Sequence, residues 1–474
     1  MLGLALLLLT ACGSNLKAPE LQSLYESVAQ NHDRFRNPVV VIPGILGTRL
    51  VDASSGDVVW GAFGSGAIDP GSPRGMRKFA LPMAEGADLA ELVDGVRTDG
   101  VLETLEVRIA GLPLELQAYM QILEVLGAGG YRDETFRPRI VDYGDGHFTC
   151  FQFAYDWRRD NVENARRLYH FLEEKRAYVA AERLRLWGDT EPVKFDVIAH
   201  SMGGLLLRYM LRFGDRDLPE DPTDLEPTWA GAELVDRAVL VAPPNAGAIG
   251  PFEQLLHGRR FGKVVRYRAP LLDTFPAAYQ LMPRQRHGLV TGTDGQALDL
   301  LDPRVWIDNG WGLANPDHDE VLAHLMPGVD DPTDRRRIAL DHLHKVLDRA
   351  KRFQRILDHP AAPPPGTELI LYAGDSEKTP RAARYDPEAK RLRITEFGLG
   401  DGRVLRSSAL MDERVGQPWI PELQSPVHWS QVSFVFRDHL GITKDPSFID
   451  NMLYLLLEAP RNSPQQLEAV ASPD

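Results

Sequence analysis

One short segment constrains the fold of this chain more than any other. Residues 195–204 read FDVIAHSMGG, an apolar run that ends at Ser201, and a helix-like pattern follows over 202–213. Ala199 and Gly203 stand two residues before and after the serine, where bulky side chains would collide with the flanking strand and helix. A strand, a serine and a helix in this order are typical of a nucleophile elbow. Ser201 is therefore the predicted nucleophile, and a buried turn serine is the alternative.

Other apolar runs predict the rest of a sheet. Residues 38–43 are apolar throughout and bounded by turn residues, as in strands buried on both faces of a parallel sheet. Similar runs recur at 148–155, 193–199, 236–242, 367–373 and 431–436. Helical periodicity at 162–183 and 202–213 separates several of these runs. The sequence predicts an α/β-hydrolase fold, with a mainly parallel sheet flanked by helices and a core formed by 37–250 and 363–460.

Two stretches interrupt the alternation of strands and helices. Residues 251–362 are rich in Arg, His and Pro and include a charged helical run at 333–357. We expect a cap or lid insertion over the sheet here, not a separate folding unit. Residues 52–117 are also irregular, with seven glycines between Gly56 and Gly86. The last residues, 461–474, are predicted to be a C-terminal tail.

The N-terminal segment has the pattern of an export signal. Its apolar stretch, Leu2 to Ala11, is about ten residues long, whereas a membrane-spanning helix needs about twenty. The stretch ends in LTAC, which resembles a lipobox, so residues 1–11 are predicted to be a lipoprotein signal peptide and Cys12 a lipidated N-terminus. Residues 12–36 would be a spacer. Because no Asp follows Cys12, we expect a cell-envelope location on the periplasmic side of the outer membrane. An ordinary leader or a buried segment is the alternative.

The net charge argues against nucleic acid as a partner. The formal net charge of −14 disfavours nucleic acid, whose binding depends on basic patches. Cys150 is the other cysteine and is predicted to be a buried apolar residue of a strand. The acidic cluster at 317–320 is interpreted as a solvated loop, because nothing nearby supplies the geometry of a catalytic metal. Neither a metal nor a cofactor is predicted.

The catalytic acid and base should follow the serine, in the order Ser, Asp or Glu, His. Asp401 lies in a glycine-rich loop and is the preferred acid, while Asp375, directly after a strand, is its rival. His439 lies between a predicted strand and a C-terminal helix and is the predicted base, although a solvated loop histidine has the same pattern. His200 is expected to point away from Ser201, since side chains alternate along a strand.

Two backbone N–H groups are predicted to bind the oxyanion. Met202 opens the helix after Ser201, where free N–H groups and the helix dipole face developing negative charge. Ile45 lies between Gly44 and Gly47 in the loop after the 38–43 strand, and these glycines permit a close backbone approach.

Together these segments resemble the lecithin:cholesterol acyltransferase family, including its lysosomal phospholipase branch. The matching pieces, in family order, are VVVIPGILGTRL (39–50), AYDWRRD (154–160), IAHSMGG (198–204), VAPPNAG (241–247), AAYQLMP (277–283) and GDGRV (400–404). The resemblance implies a lipid-facing cap, an acyl-enzyme, a triad of Ser201, Asp401 and His439, and oxyanion donors at Ile45 and Met202. The residues Tyr155 to Arg158 match a family motif that is interpreted as structural, with a buried pair of Asp156 and Arg158; a direct role in substrate binding is the alternative.

The expected function is an exported serine lipase, phospholipase or O-acyltransferase. Its partners would be a lipid or acyl-ester substrate and a membrane surface reached through the lipid anchor. Hydrolysis and transfer share the acyl-enzyme and differ only in the acceptor, so the sequence leaves both open. The alternative is a non-catalytic envelope lipoprotein that uses the fold as a binding platform.

Overall fold

The computed structural model describes residues 34–461, with gaps at 64–66, 103, 110–111, 118, 136–145, 222, 262–264 and 419. The predicted signal peptide, Cys12, most of the predicted spacer and residues 462–474 of the predicted tail lie outside this part of the chain. Among the helices described, none combines the length and the apolar character that a membrane span requires.

A six-stranded parallel sheet forms the centre of the molecule. Its strands, in chain order, are β1 (Val39–Ile42), β2 (Cys150–Gln152), β3 (Phe195–His200), β4 (Val235–Val241), β5 (Glu368–Gly374) and β6 (Gln431–Val435). They lie in the order β6-β5-β4-β3-β1-β2, and every pairing is parallel. Each strand falls within or beside a predicted apolar run. The predicted α/β-hydrolase fold is confirmed.

Helices cover both faces of this sheet. In β1, Val40 and Ile42 pack into one apolar cluster, and Val39 and Val41 pack into another on the opposite face. The first cluster includes residues of the helices Asn161–Trp187 and Met202–Phe213, and the second includes residues of Met120–Ala128 and Pro446–Leu457. The remaining helices are Pro73–Phe79, Ile249–His257, Ala269–Leu272, Pro276–Gln280, Pro303–Asn309, Asp319–Leu325, Pro332–Asp358 and Arg406–Leu410.

Capping residues explain where the longest helices begin. Asp160, Asp331 and Asp445 each accept a hydrogen bond from the backbone N–H two residues later, at 3.3, 2.7 and 2.9 Å. Such N-caps satisfy N–H groups that have no acceptor within the helix. Proline follows Asp331 and Asp445 at the first helical position, where its missing N–H costs nothing.

The chain between β4 and β5 is tied to the core by two buried arginines. Arg208 and Arg212 lie on the helix Met202–Phe213, and both donate to the carbonyl of Leu357 near the end of the helix Pro332–Asp358. Arg208 also donates to Asn245 Oδ1 at 2.9 Å, and Asn245 donates to the carbonyl of Ala409. The charged helical run thus packs directly on the helix that follows the serine.

Small accessory sheets lie outside the centre. Residues in the irregular region form two of them, Thr48–Asp52 with Val58–Trp60 and Val96–Val101, and Ala62–Phe63 with Thr104–Ile109 and Leu112–Gln117. A third joins Val290–Thr291 to the hairpin Glu377–Asp386 and Arg391–Gly400, and Arg259–Phe261 pairs with Val265–Tyr267. The predicted glycine-rich loop at 398–404 is partly strand, since pairing continues to Gly400.

Candidate active site

Ser201 occupies a strained turn between β3 and the helix Met202–Phe213. Its backbone angles are φ 54° and ψ −125°, and residues other than glycine rarely adopt a positive φ. The helix packs so closely against β1 that a Cβ on Gly203 would lie 2.5 Å from the carbonyl oxygen of Pro43. A small residue is therefore required two positions after the serine, as in a nucleophile elbow.

The three predicted triad side chains form one hydrogen-bonded chain. His439 Nε2 lies 2.9 Å from Ser201 Oγ, and His439 Nδ1 lies 2.7 Å from Asp401 Oδ2. A carboxylate only accepts, so Nδ1 donates to Asp401 and a neutral ring accepts the serine proton at Nε2. All three residues are more than nine-tenths buried. This arrangement can perform nucleophilic catalysis, because the serine, its base and the group that orients the base are in contact.

Asp401 is held as a carboxylate. Its Oδ1 accepts the backbone N–H groups of Arg403 and Val404 at 2.9 and 2.7 Å. Burial alone would raise the pKa of Asp401, but the neighbouring His439 and these hydrogen bonds outweigh it and lower the pKa below its ordinary value. The rival Asp375 contacts Arg406 instead, at 2.6 Å. Of the two candidate acids, the structure brings only Asp401 to the imidazole.

The predicted oxyanion donors belong to two segments that meet at the serine. Met202 is the first residue of its helix, so its N–H has no acceptor within the helix. Ile45 lies in the loop after β1 and lines the same cavity as Ser201. The loop approaches so closely that a Cβ on Gly44 would lie 2.8 Å from Ser201 Cβ. Three hydrogen bonds fix it, from Tyr155 to Pro43, from Trp60 to Leu46 and from the N–H of Gly47 to Gly44.

Strand alternation predicted that the His200 side chain would point away from Ser201. That prediction is wrong, because the side chain lies beside His439 in the site. Its ring centroid lies 4.8 Å from that of His439, and its Nε2 donates to the backbone carbonyl of His439 at 2.9 Å. The strained turn at Ser201 ends the regular alternation, so consecutive side chains both reach the site. Burial, and then the neighbouring His439, lower the pKa of His200 to about 3, which keeps the ring neutral.

Tyr119 completes a second hydrogen-bonded chain that the sequence did not predict. Because His200 donates through Nε2 and is neutral, its Nδ1 accepts the hydroxyl proton of Tyr119 at 2.8 Å. Tyr119 Oη in turn accepts the N–H of Gly44 at 2.7 Å. This chain joins the Gly44 loop to the backbone of His439. Tyr119 lies at the end of an irregular region, so no sequence signal marked it.

An apolar cavity of about 400 Å³ opens beside Ser201 and His439. Five aromatic side chains from separate segments form its wall: Trp60, Phe79, Trp157, Tyr267 and Phe275. Their rings pack in contact, with centroids 4.3 Å apart for Phe79 and Tyr267 and 5.8 Å for Trp157 and Phe275. Binding pockets for small molecules are of this size, mainly apolar with a few polar groups. The cavity suits an extended apolar ligand that places a polar group at the serine.

The motif Tyr155 to Arg158 is a buried structural element beside this cavity. Arg158 is fully buried, and its guanidinium donates to both carboxylate oxygens of Asp156 at 3.0 and 2.7 Å. It also pairs with Asp94 at 2.8 Å. The predicted pair is present, and Trp157 between its members forms part of the aromatic wall. Cys150 is buried in β2, as predicted, and burial raises the pKa of its thiol well above the ordinary value.

Residues 139–301 match the family model described as lecithin:cholesterol acyltransferase. The predicted resemblance is confirmed over this third of the chain, which includes Ser201 and the motif Tyr155 to Arg158 and ends before Asp401. A comparison with curated proteins found no match.

Three solved structures align with the chain at low identity. The Tle4–Tli4 complex contains a chain with a TM-score of 0.51 and 16% identity, and the alignment covers 89% of the present chain and 98% of that one. The Bacillus licheniformis lipase BlEst2 in its propeptide form gives 0.31 and 12%, covering 91% and 53%. EstA from Clostridium botulinum gives 0.32 and 11%, covering 90% and 88%. At 16% identity the first alignment bears on the fold alone.

Proposed function

We propose that this protein is a serine acyl-ester hydrolase or O-acyltransferase that acts on lipids. The observation that supports this function is the continuous contact from Ser201 Oγ through the His439 ring to the Asp401 carboxylate, at 2.9 and 2.7 Å. Ser201 attacks the acyl carbonyl while His439 removes its proton. The imidazolium then returns the proton to the leaving group, and Asp401 stabilises its charge.

The oxyanion forms between the N–H groups of Ile45 and Met202 in this mechanism. Removing one such donor typically costs about 10²–10³ in kcat, so the two account for a large part of the rate enhancement. Water or an alcohol then attacks the acyl-enzyme, with His439 acting as base for the second time.

Lipid specificity is supported by the aromatic cavity and by the family match. An acyl chain placed along Trp157 and Phe275 would bury apolar surface, which favours long-chain over short-chain esters. The acceptor decides between hydrolysis and transfer. Incubation with phosphatidylcholine and a sterol or ceramide, followed by analysis of free fatty acid against acylated alcohol, tests this choice.

A fluorophosphonate probe tests the catalytic proposal itself. We expect the wild-type chain to be labelled and Ser201→Ala not to be labelled. Ser408 serves as the matched control, because it is also buried but its hydroxyl donates to the carbonyl of Gly247 at 2.7 Å. Ser408→Ala should keep the label. An unlabelled wild type would contradict the enzyme and favour the binding platform.

We further propose that the chain is exported and anchored to the envelope membrane through acylated Cys12, on the periplasmic side of the outer membrane. The LTAC sequence supports this anchor. Mass spectrometry of the mature N-terminus should find a diacylglyceryl group on Cys12, and Cys12→Ser should abolish the incorporation of labelled fatty acid into the protein. A mature N-terminus other than Cys12, or labelled fatty acid on the Cys12→Ser protein, would contradict the anchor.

A further inference from the structure

Four exposed apolar side chains lie on two segments that contribute to the lining of the cavity. Eleven large hydrophobic residues are exposed in the part of the chain that the structure describes, and four of them belong to two segments. Phe397 and Leu399, 58% and 60% exposed, lie on the hairpin strand Arg391–Gly400. Phe436 and Leu440, 71% and 44% exposed, flank His439 in the loop after β6. We call these four residues the apolar rim.

Backbone contacts place the two halves of the rim side by side. Ser376 donates its N–H to the carbonyl of Gly400, at the end of the hairpin, at 3.0 Å. The adjacent Asp375 donates to the carbonyl of Val435, directly before Phe436, at 3.2 Å. The hairpin and the His439 loop therefore leave the sheet from the same point.

The rim continues into the cavity. Phe397 is paired with Pro380 across the hairpin, and paired residues of antiparallel strands share a face. Pro380 and Leu440 both line the cavity that holds Ser201. Apolar side chains thus lead from exposed Phe397, through Pro380, into the cavity that holds Ser201. Contiguous exposed apolar surface of this kind marks an interaction site.

The charge of this region is opposite to that of the chain. Residues 377–406 contain eight Lys and Arg against five Asp and Glu, whereas the whole chain has a net charge of −14. Lys378 is paired with Leu399 and so lies on the apolar face, and Arg403 lines the cavity. Neither cation forms an ion pair within the described residues. Exposed apolar side chains with these two cations beside them match a bilayer, whose interior is apolar and whose surface is negatively charged when it contains anionic lipids.

From this arrangement we infer that the apolar rim and its cations are the surface through which the protein docks on an anionic lipid bilayer. The inference rests on the proposed function, because docking here presents the cavity to ester bonds in the membrane. Phe397 and Leu399 enter the acyl region, and Lys378 contacts phosphate groups. This contact is separate from the proposed anchor at Cys12.

Vesicle sedimentation tests the docking surface. The chain should begin at residue 13, which removes the proposed leader and anchor, and should carry Ser201→Ala, which prevents hydrolysis. We expect binding to vesicles of phosphatidylglycerol mixed with phosphatidylcholine and weaker binding to phosphatidylcholine alone. In this background Phe397→Ser with Leu399→Ser should weaken binding about tenfold or more, and Lys378→Gln about fivefold.

Matched controls use residues that belong neither to the apolar rim nor to the cavity lining. Val93→Ser with Leu184→Ser removes side chains that are 66% and 55% exposed. Lys194→Gln removes a cation that directly precedes β3, at the end of the strand opposite Ser201. Both should bind vesicles as the background protein does. With Ser201 restored, the Phe397→Ser and Leu399→Ser protein should still hydrolyse a soluble short-chain ester, so a lost vesicle interaction is distinguished from a failed catalytic proposal.

Three results would overturn the inference. The first is equal vesicle binding by the rim variant and its control. The second is no binding to either vesicle type by the background protein, whether or not the Ser201 enzyme cleaves the soluble ester. The third is a dimer, measured by light scattering, that the rim substitutions convert to monomer without a change in vesicle binding. That result would assign the face to a second copy of the chain.

Discussion

Tyr119 Oη lies 2.8 Å from His200 Nδ1, and this contact connects two loops that each supply part of the candidate active site. On one side, Tyr119 accepts the N–H of Gly44, next to the predicted oxyanion donor Ile45. On the other, His200 donates to the backbone carbonyl of His439. The oxyanion loop and the base are therefore held in register by side chains that need not touch the substrate.

Removing the Tyr119 hydroxyl should slow acyl transfer without weakening substrate binding. Tyr119→Phe leaves the N–H of Gly44 and Nδ1 of His200 without a partner, so both loops lose a constraint. We expect kcat to fall about tenfold or more with little change in KM, because oxyanion contacts act mainly in the transition state.

Tyr131→Phe is the matched control for this prediction. Tyr131 is also buried, but its hydroxyl has no hydrogen-bond partner among the described residues. We expect its kcat to equal that of the wild type. A Tyr119→Phe enzyme with wild-type kcat would show that the second hydrogen-bonded chain is only structural.

Gly44 should tolerate no side chain. A Cβ there would lie 2.8 Å from Ser201 Cβ and 3.3 Å from Ser201 Oγ, so Gly44→Ala must displace either the loop or the nucleophile. We expect a loss of about a hundredfold or more in kcat, comparable to losing one oxyanion donor. Gly328→Ala is the control, since its added Cβ would meet nothing within 4 Å. Steady-state kinetics on a soluble ester, with circular dichroism to verify folding, measures both.

The sequence predicted the centre of the molecule better than its periphery. The six strands and the helix Met202–Phe213 follow from apolar runs and periodicity, because a strand buried on both faces has few alternatives to apolar residues. The accessory sheets at 48–117 were not predicted, because their strands have only two to six residues and lie in a stretch rich in glycine. Their positions depend on contacts with distant segments.

The candidate active site was likewise predicted only in part. The order of Ser201, Asp401 and His439 is readable in the sequence because each follows a strand of the sheet or lies in a glycine-rich turn. The side chain of His200 was misplaced, since strand alternation was extended into a turn where φ is positive. Tyr119 could not be found, because its role depends on a contact 81 positions away.

Asp401 and Asp375 should differ sharply when each is replaced by asparagine. Asp401→Asn removes the acceptor that orients the Nδ1 proton of His439, so the unwanted tautomer forms and the serine loses its base. We expect kcat to fall about 10³–10⁴-fold, the scale seen when the acid of a serine triad is neutralised. Asp375→Asn only weakens a contact with the partly exposed Arg406 and should keep most of the activity. If the two variants lost equal activity, the assignment of Asp401 would be wrong.

His200 should make the folded protein sensitive to acid. Its pKa is lowered to about 3 in the folded chain, mainly by burial, whereas an unfolded histidine has a pKa of about 6.5. Between these values the unfolded chain binds a proton that the folded chain does not, so the free energy of unfolding decreases as pH falls. This contribution is present in full above about pH 6.5 and is lost at up to about 1.4 kcal/mol per pH unit below it.

Glutamine does not titrate, so urea denaturation of His200→Gln should show a shallower loss of stability between about pH 6.5 and pH 4 than the wild type. Parallel curves for the two proteins would mean that His200 is not buried in its neutral form.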